Sequence, residues 1–159
     1  MKRKSLLVLT VLWVFAALPA FAQLDRVVAE AYEGDIDCLP CAVTIEAALK
    51  KVAGVNKVAV SMSKQMVAIT FNEGARFTPK QYRDAIAKAE VRVQAFHVAM
   101  RGKVEKQGDQ MYFVAGADRF LIAKPAQGLP VGSLLGIMAA VDDSSQPPTI
   151  TSIDDIRPL

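Results

Sequence analysis

The chain has 159 residues, of which 52% are hydrophobic and 22% are charged, and its formal net charge is +3. This length fits one ordinary domain or two small ones and excludes a large multidomain enzyme. The high apolar content excludes an intrinsically disordered chain, and two cysteines are too few for a disulfide scaffold.

The chain begins with a short basic segment that leads into an apolar one. Residues 2–4 are Lys-Arg-Lys, residues 6–17 are almost entirely apolar, and residues 20–22 are Ala-Phe-Ala, with small residues where a signal peptidase cleaves. This order predicts a secretory signal peptide over residues 1–22, because the apolar run is shorter than the ~20 residues that span a bilayer. The three basic residues account for the whole net charge. We therefore expect a neutral periplasmic or secreted protein, with no nucleic-acid partner and no stable membrane anchor after cleavage.

A strand, a loop and a helix are predicted next. Val27–Tyr32 is apolar enough for a short strand, and Cys38-Leu39-Pro40-Cys41 follows a polar loop. Proline suits the first helical turn, where no backbone donor is needed, and Gly54 suits the helix end. One apolar stripe with helical spacing lies between them, formed by Ile45, Ala48, Leu49 and Val52. The CxxC pair is therefore predicted at a helix N-terminus.

A hairpin, a second helix and a further strand complete the first predicted domain. Apolar residues alternate before and after a polar turn, at positions 58 and 60 and then at 67, 69 and 71. Thr78-Pro79-Lys80-Gln81 has the pattern of a capping box, and the helix after it would bury Tyr82, Ala85, Ile86 and Ala89. A further strand is predicted to begin at Val91. The order predicts an α+β, ferredoxin-like βαββαβ sandwich over residues 23–94.

These residues resemble the heavy-metal-associated (HMA) domain. That family includes periplasmic mercuric-ion-binding proteins, copper and zinc metallochaperone domains and the N-terminal modules of metal-transporting P-type ATPases. The resemblance covers about residues 27–94, and it rests on the stretch from Gly34 to Cys41, the helix stripe, Gly54-Val55 and Val58-x-Val60. It implies that Cys38 and Cys41 are the ligands of one metal ion in a shallow site, from which the metal is passed on by ligand exchange.

The chemistry of two cysteines at a helix start agrees with this implication. The helix N-terminus favours the negative charge of two thiolates, and soft sulfur ligands suit thiophilic ions. Two protein ligands leave an open coordination sphere, which fits carriage better than structural zinc, where four are usual. We predict a non-enzymatic protein that binds one Zn(II), Cu(I) or Hg(II) ion. Its expected partner is a metal-transporting membrane protein or a metalloenzyme.

The loop departs from the usual family pattern at three points. Family members usually have Gly-Met-x-Cys, whereas here Ile36 stands in place of the methionine and is expected to anchor the loop. Asp37 precedes the first cysteine, which resembles the zinc, cadmium or lead variants in which the carboxylate is a third ligand; alternatively, Asp37 caps the helix. Glu90 and Val91 replace the glycine and the aromatic residue that commonly end the second helix.

Two other functions remain open for the same motif. Cys-x-Pro-Cys at a helix start is also typical of thioredoxin-like thiol–disulfide exchange proteins, although the segment before Cys38 is too short for that fold. The motif could also be vestigial in an interaction module, since a disulfide across so small a loop stabilises little. His97 is the single histidine, and we interpret it as a packed or surface residue.

The C-terminal half lacks any helical stripe. Short apolar segments at a spacing of about 8–12 residues, separated by turns rich in glycine and proline, predict a small all-β domain over residues 95–159. We expect an OB-like barrel that serves packing or partner docking, because neither basic patches nor many aromatic residues indicate nucleic-acid binding.

Overall fold

The computed structural model describes residues 23–123 and 129–159, so the predicted signal peptide lies outside the described residues. Within those two ranges no helix has the length and apolar character needed to cross a membrane. The helices and strands are, in chain order, β1 (Gln23–Ala31), α1 (Leu39–Leu49), β2 (Val55–Ser61), β3 (Met66–Phe71), α2 (Pro79–Ile86) with a 3₁₀ turn (Ala87–Ala89), β4 (Val93–Gln107), β5 (Gln110–Ala115), β6 (Asp118–Ile122), β7 (Leu134–Asp142) and β8 (Thr149–Pro158).

The first half of the chain forms an antiparallel sheet with two helices. The strand order is β2-β3-β1-β4, and Val27 of β1 lies opposite Ile69 of β3 and Val98 of β4. All three side chains are buried, as the alternation of apolar residues predicts. The two helices contact each other and contribute their predicted apolar faces to the same core: Ile45, Ala48 and Leu49 from α1, and Tyr82, Ala85 and Ile86 from α2.

The second half of the chain closes into a five-stranded barrel. The strands follow one another as β4-β5-β6-β8-β7, and β7 pairs back with β4. All of these pairs are antiparallel except β6 with β8, which is parallel. Phe113 and Phe120 fill the interior and are fully buried. The predicted α+β class and the predicted β-rich C-terminal region are therefore confirmed.

Strand β4 belongs to both halves. Val98, in its first part, lies between Val27 of β1 and Ala139 of β7, whereas Lys103, further along, pairs with Val114 of β5. Gly102 stands between these two parts, and a Cβ atom there would lie 2.0 Å from the Val114 carbonyl oxygen. The position predicted to divide two domains, 94/95, falls inside this strand, so the two halves share one sheet and one hydrophobic core.

Polar contacts also attach the first half to the barrel. Asp118 of β6 is 8% exposed, and its carboxylate accepts hydrogen bonds from the Phe77 backbone N–H and the Arg76 guanidinium, both at 2.7 Å. Phe77 itself packs against Phe120 of the barrel. The segment that leads into α2 is therefore fixed to β6.

The predicted capping box at the start of α2 is wrong. The Thr78 side chain makes no capping hydrogen bond, and its hydroxyl is buried without a partner. The Tyr82 hydroxyl instead accepts the Thr78 backbone N–H at 3.2 Å and donates to the Arg76 carbonyl at 2.9 Å. The buried tyrosine thus takes over part of the role that we expected of Gln81.

Candidate metal centre

The two cysteines lie at the start of α1, as the sequence predicts. Cys38 is the N-cap residue, in an extended conformation with φ −132° and ψ 144°, and Pro40 stands in the first turn. The Cys41 backbone N–H donates to the Cys38 sulfur at 3.1 Å. A sulfur atom therefore satisfies one of the donors that a helix start leaves without a partner.

Asp37 completes a group of three possible ligands. Its carboxylate oxygen lies 3.9 Å from the Cys41 sulfur, and one ligand atom from each of Asp37, Cys38 and Cys41 lies within 4.8 Å of the other two. Across residues 23–123 and 129–159 no other group of three such side chains is this close together. Because Cys38 occupies the N-cap position, Asp37 does not cap the helix, and that alternative is wrong.

The two sulfur atoms are joined in a disulfide, with 5.2 Å between the Cα atoms. A disulfide sulfur lacks the negative charge of a thiolate, which is the form that binds metal. Cleavage of the bond consumes two electrons, and each sulfur then takes up a proton or a metal ion. The disulfide form is therefore the oxidised state of this group.

Ile36 anchors the loop before the cysteines. Its side chain is 1% exposed and lies in the core, as we expected from its position in place of the family's methionine. Its backbone N–H donates to the Gln65 side-chain carbonyl at 2.8 Å, and its own carbonyl accepts from the Gln65 amide nitrogen at 3.0 Å. Gln65 could not be predicted from the sequence as part of this site, because the contact joins residues that lie 29 positions apart in the chain.

An ion pair holds the same loop from the other side. The Asp35 carboxylate accepts hydrogen bonds from the Arg92 backbone N–H at 3.0 Å and from two guanidinium nitrogens at 3.1 Å. The guanidinium also lies 4.8 Å from the centre of the Tyr32 ring. The hydrogen bonds from Arg92 lower the pKa of the Asp35 carboxyl below its usual value. Asp35 therefore stays ionised near neutral pH.

Glu90 and Val91, which replace the family's usual glycine and aromatic residue, have different environments in this structure. Glu90 ends the 3₁₀ turn in the left-handed conformation, with φ +62°, which glycine adopts most readily. Val91 is 1% exposed and belongs to the core. Arg92, the next residue, makes the contact with the metal-site loop. The ion pair between Arg92 and Asp35 is therefore the contact that the segment after α2 makes with this loop.

Exposed apolar side chains lie between and just after the two cysteines, and a further one lies in the β2–β3 turn that holds the preceding loop. Leu39, between them, is 68% exposed, and Val43, in the next turn of α1, is 58% exposed. Met62, in the β2–β3 turn, is also exposed, and its carbonyl accepts a hydrogen bond from the Gln65 side chain. The site therefore opens at the surface and not into the core.

His97 contacts carboxylates and not the cysteines. Its Nε2 atom lies 3.4 Å from the Glu30 carboxylate on β1, and its Nδ1 atom lies 3.5 Å from the Asp154 carboxylate on β8. The ring is partly exposed on the outer face of β4. It connects β4 with the neighbouring strand β1 and with β8, which pairs with β7.

The sequence matches the family described as Heavy-metal-associated domain over residues 34–91. No curated protein matches the chain. Among solved structures, a CopZ metallochaperone matches at 20% identity and a TM-score of 0.38, covering 43% of this chain and 98% of its own. A copper binding domain from a P-type ATPase matches at 20% identity and a TM-score of 0.38, and the match covers 44% of this chain and 90% of that domain. A structure described as "Crosstalk between Cu(I) and Zn(II) homeostasis" matches at 29% identity and a TM-score of 0.36, and the match covers 46% of this chain and 97% of the other.

Proposed function

We propose that this chain, whose residues 34–91 are a heavy-metal-associated domain, is a metal carrier that binds one thiophilic ion through Cys38 and Cys41. The observation that carries the proposal is the convergence of both sulfurs and the Asp37 carboxylate at the exposed start of α1. Soft sulfur ligands select such ions, and the HMA family consists of metal-binding modules. We propose that the chain acts as a carrier and not as an enzyme.

Transfer of the ion follows from the shape of the site. When the disulfide is reduced, two thiolates and one carboxylate can approach a single ion from the same side. An incomplete, exposed coordination sphere lets a ligand from a partner bind before a ligand of this chain leaves. We infer that the partner is a metal-transporting membrane protein or a metalloenzyme that presents its own thiol ligands.

Asp37 favours a divalent ion as the cargo. A carboxylate is a hard ligand that binds Zn(II) well and adds little to Cu(I), which prefers two sulfurs in line. The carboxylate lies 3.9 Å from the Cys41 sulfur, so that a small movement of the side chain places its oxygen on an ion held by both cysteines. We therefore propose Zn(II) ahead of Cu(I), with Hg(II) as a further thiophilic candidate.

We also propose a ferredoxin-like fold for the first half of the chain, an OB-like fold for the barrel, and export of the protein from the cytoplasm. The element order of the first half and the strand order of the barrel, with its single parallel pair, support a ferredoxin-like sandwich and an OB-like barrel. Residues 23–94 and 95–159 are the proposed domains, joined through β4. The signal-like segment over residues 1–22 supports export to the periplasm or beyond, and the barrel is assigned to packing or partner docking.

The decisive test is a metal titration of reduced protein comprising residues 23–159. Zn(II), Cu(I) and Hg(II) are added separately under anaerobic conditions, and binding is followed by competition with a chromogenic chelator. One equivalent of tightly bound ion is expected, and it should be absent from a Cys38→Ser/Cys41→Ser variant. Asp37→Asn should weaken Zn(II) binding more than Cu(I) binding. Equal binding by the double serine variant would disprove the proposal.

The disulfide favours thiol–disulfide exchange as a second candidate function. In such a reaction, a substrate disulfide is reduced while Cys38 and Cys41 lose two electrons and become joined. Catalysed reduction of insulin disulfides, together with a reduction potential in the range of known exchange proteins, would support this function. A rate of insulin reduction no higher than that of an equal concentration of small dithiol would exclude it.

A further inference from the structure

We propose that Gln65 is a positioning residue of the metal site, which holds the loop before Cys38 so that the two sulfurs meet. The part that concerns metal affinity rests on the proposed function. The part that concerns the meeting of the two sulfurs does not, because the disulfide equilibrium can be measured without metal.

The side chain of Gln65 makes three of the four hydrogen bonds that its amide allows, all of them to backbone groups. Its carbonyl oxygen accepts the Ile36 N–H at 2.8 Å, one amide hydrogen goes to the Ile36 carbonyl at 3.0 Å, and the other goes to the Met62 carbonyl. The pair of bonds to Ile36 resembles one rung of a β-ladder. It therefore fixes both the position and the orientation of the Ile36 peptide groups.

The backbone of Gln65 holds the other end of the same segment. Its carbonyl accepts the Ala31 N–H at 2.8 Å, at the point where β1 ends. One residue thus fixes positions 31 and 36, and the loop between them is closed on Gln65. Cys38 lies only two residues after Ile36. If the Ile36 backbone becomes more mobile, the Cys38 sulfur therefore becomes more mobile as well.

The conformation of Gln65 separates this role from the needs of the turn. Gln65 has φ +52°, in the left-handed region that glycine and asparagine adopt more readily than glutamine does. Either residue would therefore suit the β2–β3 turn better. Neither has a side chain long enough to replace the amide of glutamine at Ile36. The turn therefore favours glycine or asparagine at position 65, whereas the contact with the metal-site loop requires glutamine.

Disulfide formation reports directly on the proposed role. The equilibrium between dithiol and disulfide depends on the effective concentration of one sulfur at the other, which falls when the loop gains freedom. Loss of a hydrogen bond changes such an equilibrium about five- to tenfold. A metal ion held by both sulfurs depends on the same convergence, so its affinity should fall by a similar factor.

The experiment compares the protein of residues 23–159 with Gln65→Gly, Gln65→Asn and Gln65→Glu variants. Three quantities are measured: the dithiol–disulfide equilibrium constant in glutathione buffers, the Zn(II) affinity of the reduced protein, and the urea midpoint of the reduced protein. For Gln65→Gly and Gln65→Asn we expect the first two to fall about five- to tenfold, with an unchanged or higher urea midpoint. Gln65→Glu keeps the acceptor and loses both amide donors, so its equilibrium constant should also fall.

Lys64→Asn, at an exposed position of the same turn, is the matched control and should match the unmodified protein in the first two quantities. The proposal is overturned if Gln65→Gly retains the disulfide equilibrium constant within twofold. It is also overturned if the equilibrium constant falls only together with the urea midpoint, since Gln65 would then serve general stability. Absence of Zn(II) binding by the unmodified reduced protein would count against the proposed function alone, and the disulfide equilibrium would still decide the role of Gln65.

Discussion

Arg83 and Asp143 form a two-pronged ion pair that joins α2 to the segment between β7 and β8. The guanidinium Nε and Nη2 atoms lie 2.8 and 2.7 Å from the two carboxylate oxygens, and Nη1 donates to the Val93 carbonyl at 2.6 Å. The guanidinium also lies 4.8 Å from the centre of the Phe96 ring. One side chain of the first half of the chain thus contacts both the shared strand and the barrel.

We expect Asp143→Ala to lower the free energy of unfolding by about 1–3 kcal/mol, because it leaves a half-buried guanidinium without its carboxylate. Urea unfolding of the reduced protein measures the change. Asp84→Ala is the matched control, since Asp84 forms its ion pair with Lys80 on an exposed helix surface and should cost less than about 1 kcal/mol. Equal losses in both variants would contradict the proposed importance of the contact between α2 and the barrel.

The carboxylate of Asp118 also joins the first half of the chain to the barrel, and its loss should lower the free energy of unfolding more than the loss of Asp143 does. Asp118→Ala leaves the buried Phe77 N–H without an acceptor, which is expected to cost about 2–4 kcal/mol. Asp118→Asn retains one acceptor oxygen and should recover part of the loss. The measurement is again the urea midpoint. A midpoint for Asp118→Ala within error of the unmodified protein would show that water replaces the carboxylate at no cost.

The sequence predicted the elements near the cysteines better than the contacts that hold them. The position of Cys38 and Cys41 at a helix start follows from local signals, namely Pro40 and the apolar stripe of α1. Gln65 and Arg92 were missed because each reaches the loop from a distant segment, and no spacing rule connects them to it. The pairing of β4 with strands of both halves could not be predicted either, because its partners in β1, β5 and β7 lie in separate segments of the chain.

Glu90 and Gly54 allow a paired test of left-handed backbone positions. Glu90 has φ +62°, so that Glu90→Gly should raise the free energy of unfolding by about 1 kcal/mol. Gly54 has φ +82°, and a Cβ atom there would lie 2.8 Å from the Ala75 Cβ atom. Gly54→Ala should therefore destabilise the protein by more than about 1 kcal/mol. A destabilising Glu90→Gly change would mean that the glutamate side chain makes a contribution larger than its backbone strain.

The ion pair between Asp35 and Arg92 predicts a dependence on pH. The pKa of Asp35 is lower in the folded protein than its ordinary value of 3.8, because Arg92 donates hydrogen bonds to the ionised form. A lowered folded-state pKa gives stability that is fully present above the unfolded-state pKa and is lost as the pH falls through the folded-state value. The difference in urea midpoint between the unmodified protein and Asp35→Asn should therefore be constant near neutral pH and shrink below about pH 4. A difference that grows on acidification would contradict this sign.

Gly102 provides the sharpest test of whether the two halves depend on one another. A Cβ atom at this position would lie 2.0 Å from the Val114 carbonyl oxygen, which is a backbone atom that cannot move without separating β4 from β5. Gly102→Ala should therefore destabilise the protein by about 3 kcal/mol or more. Gly136→Ala is the matched control on the neighbouring strand β7, because its nearest new contact would be 3.8 Å away, with a leucine side chain.

Because β4 carries pairing partners for both halves, the damage caused by Gly102→Ala should extend beyond the barrel. Hydrogen exchange should accelerate at the amides of β1 as well as at those of β5, and the dithiol–disulfide equilibrium constant of Cys38 and Cys41 should fall. Faster exchange confined to β5 and β6, with an unchanged disulfide equilibrium, would instead show that the first half of the chain folds independently of the barrel. The shared strand would then join two separate cooperative units.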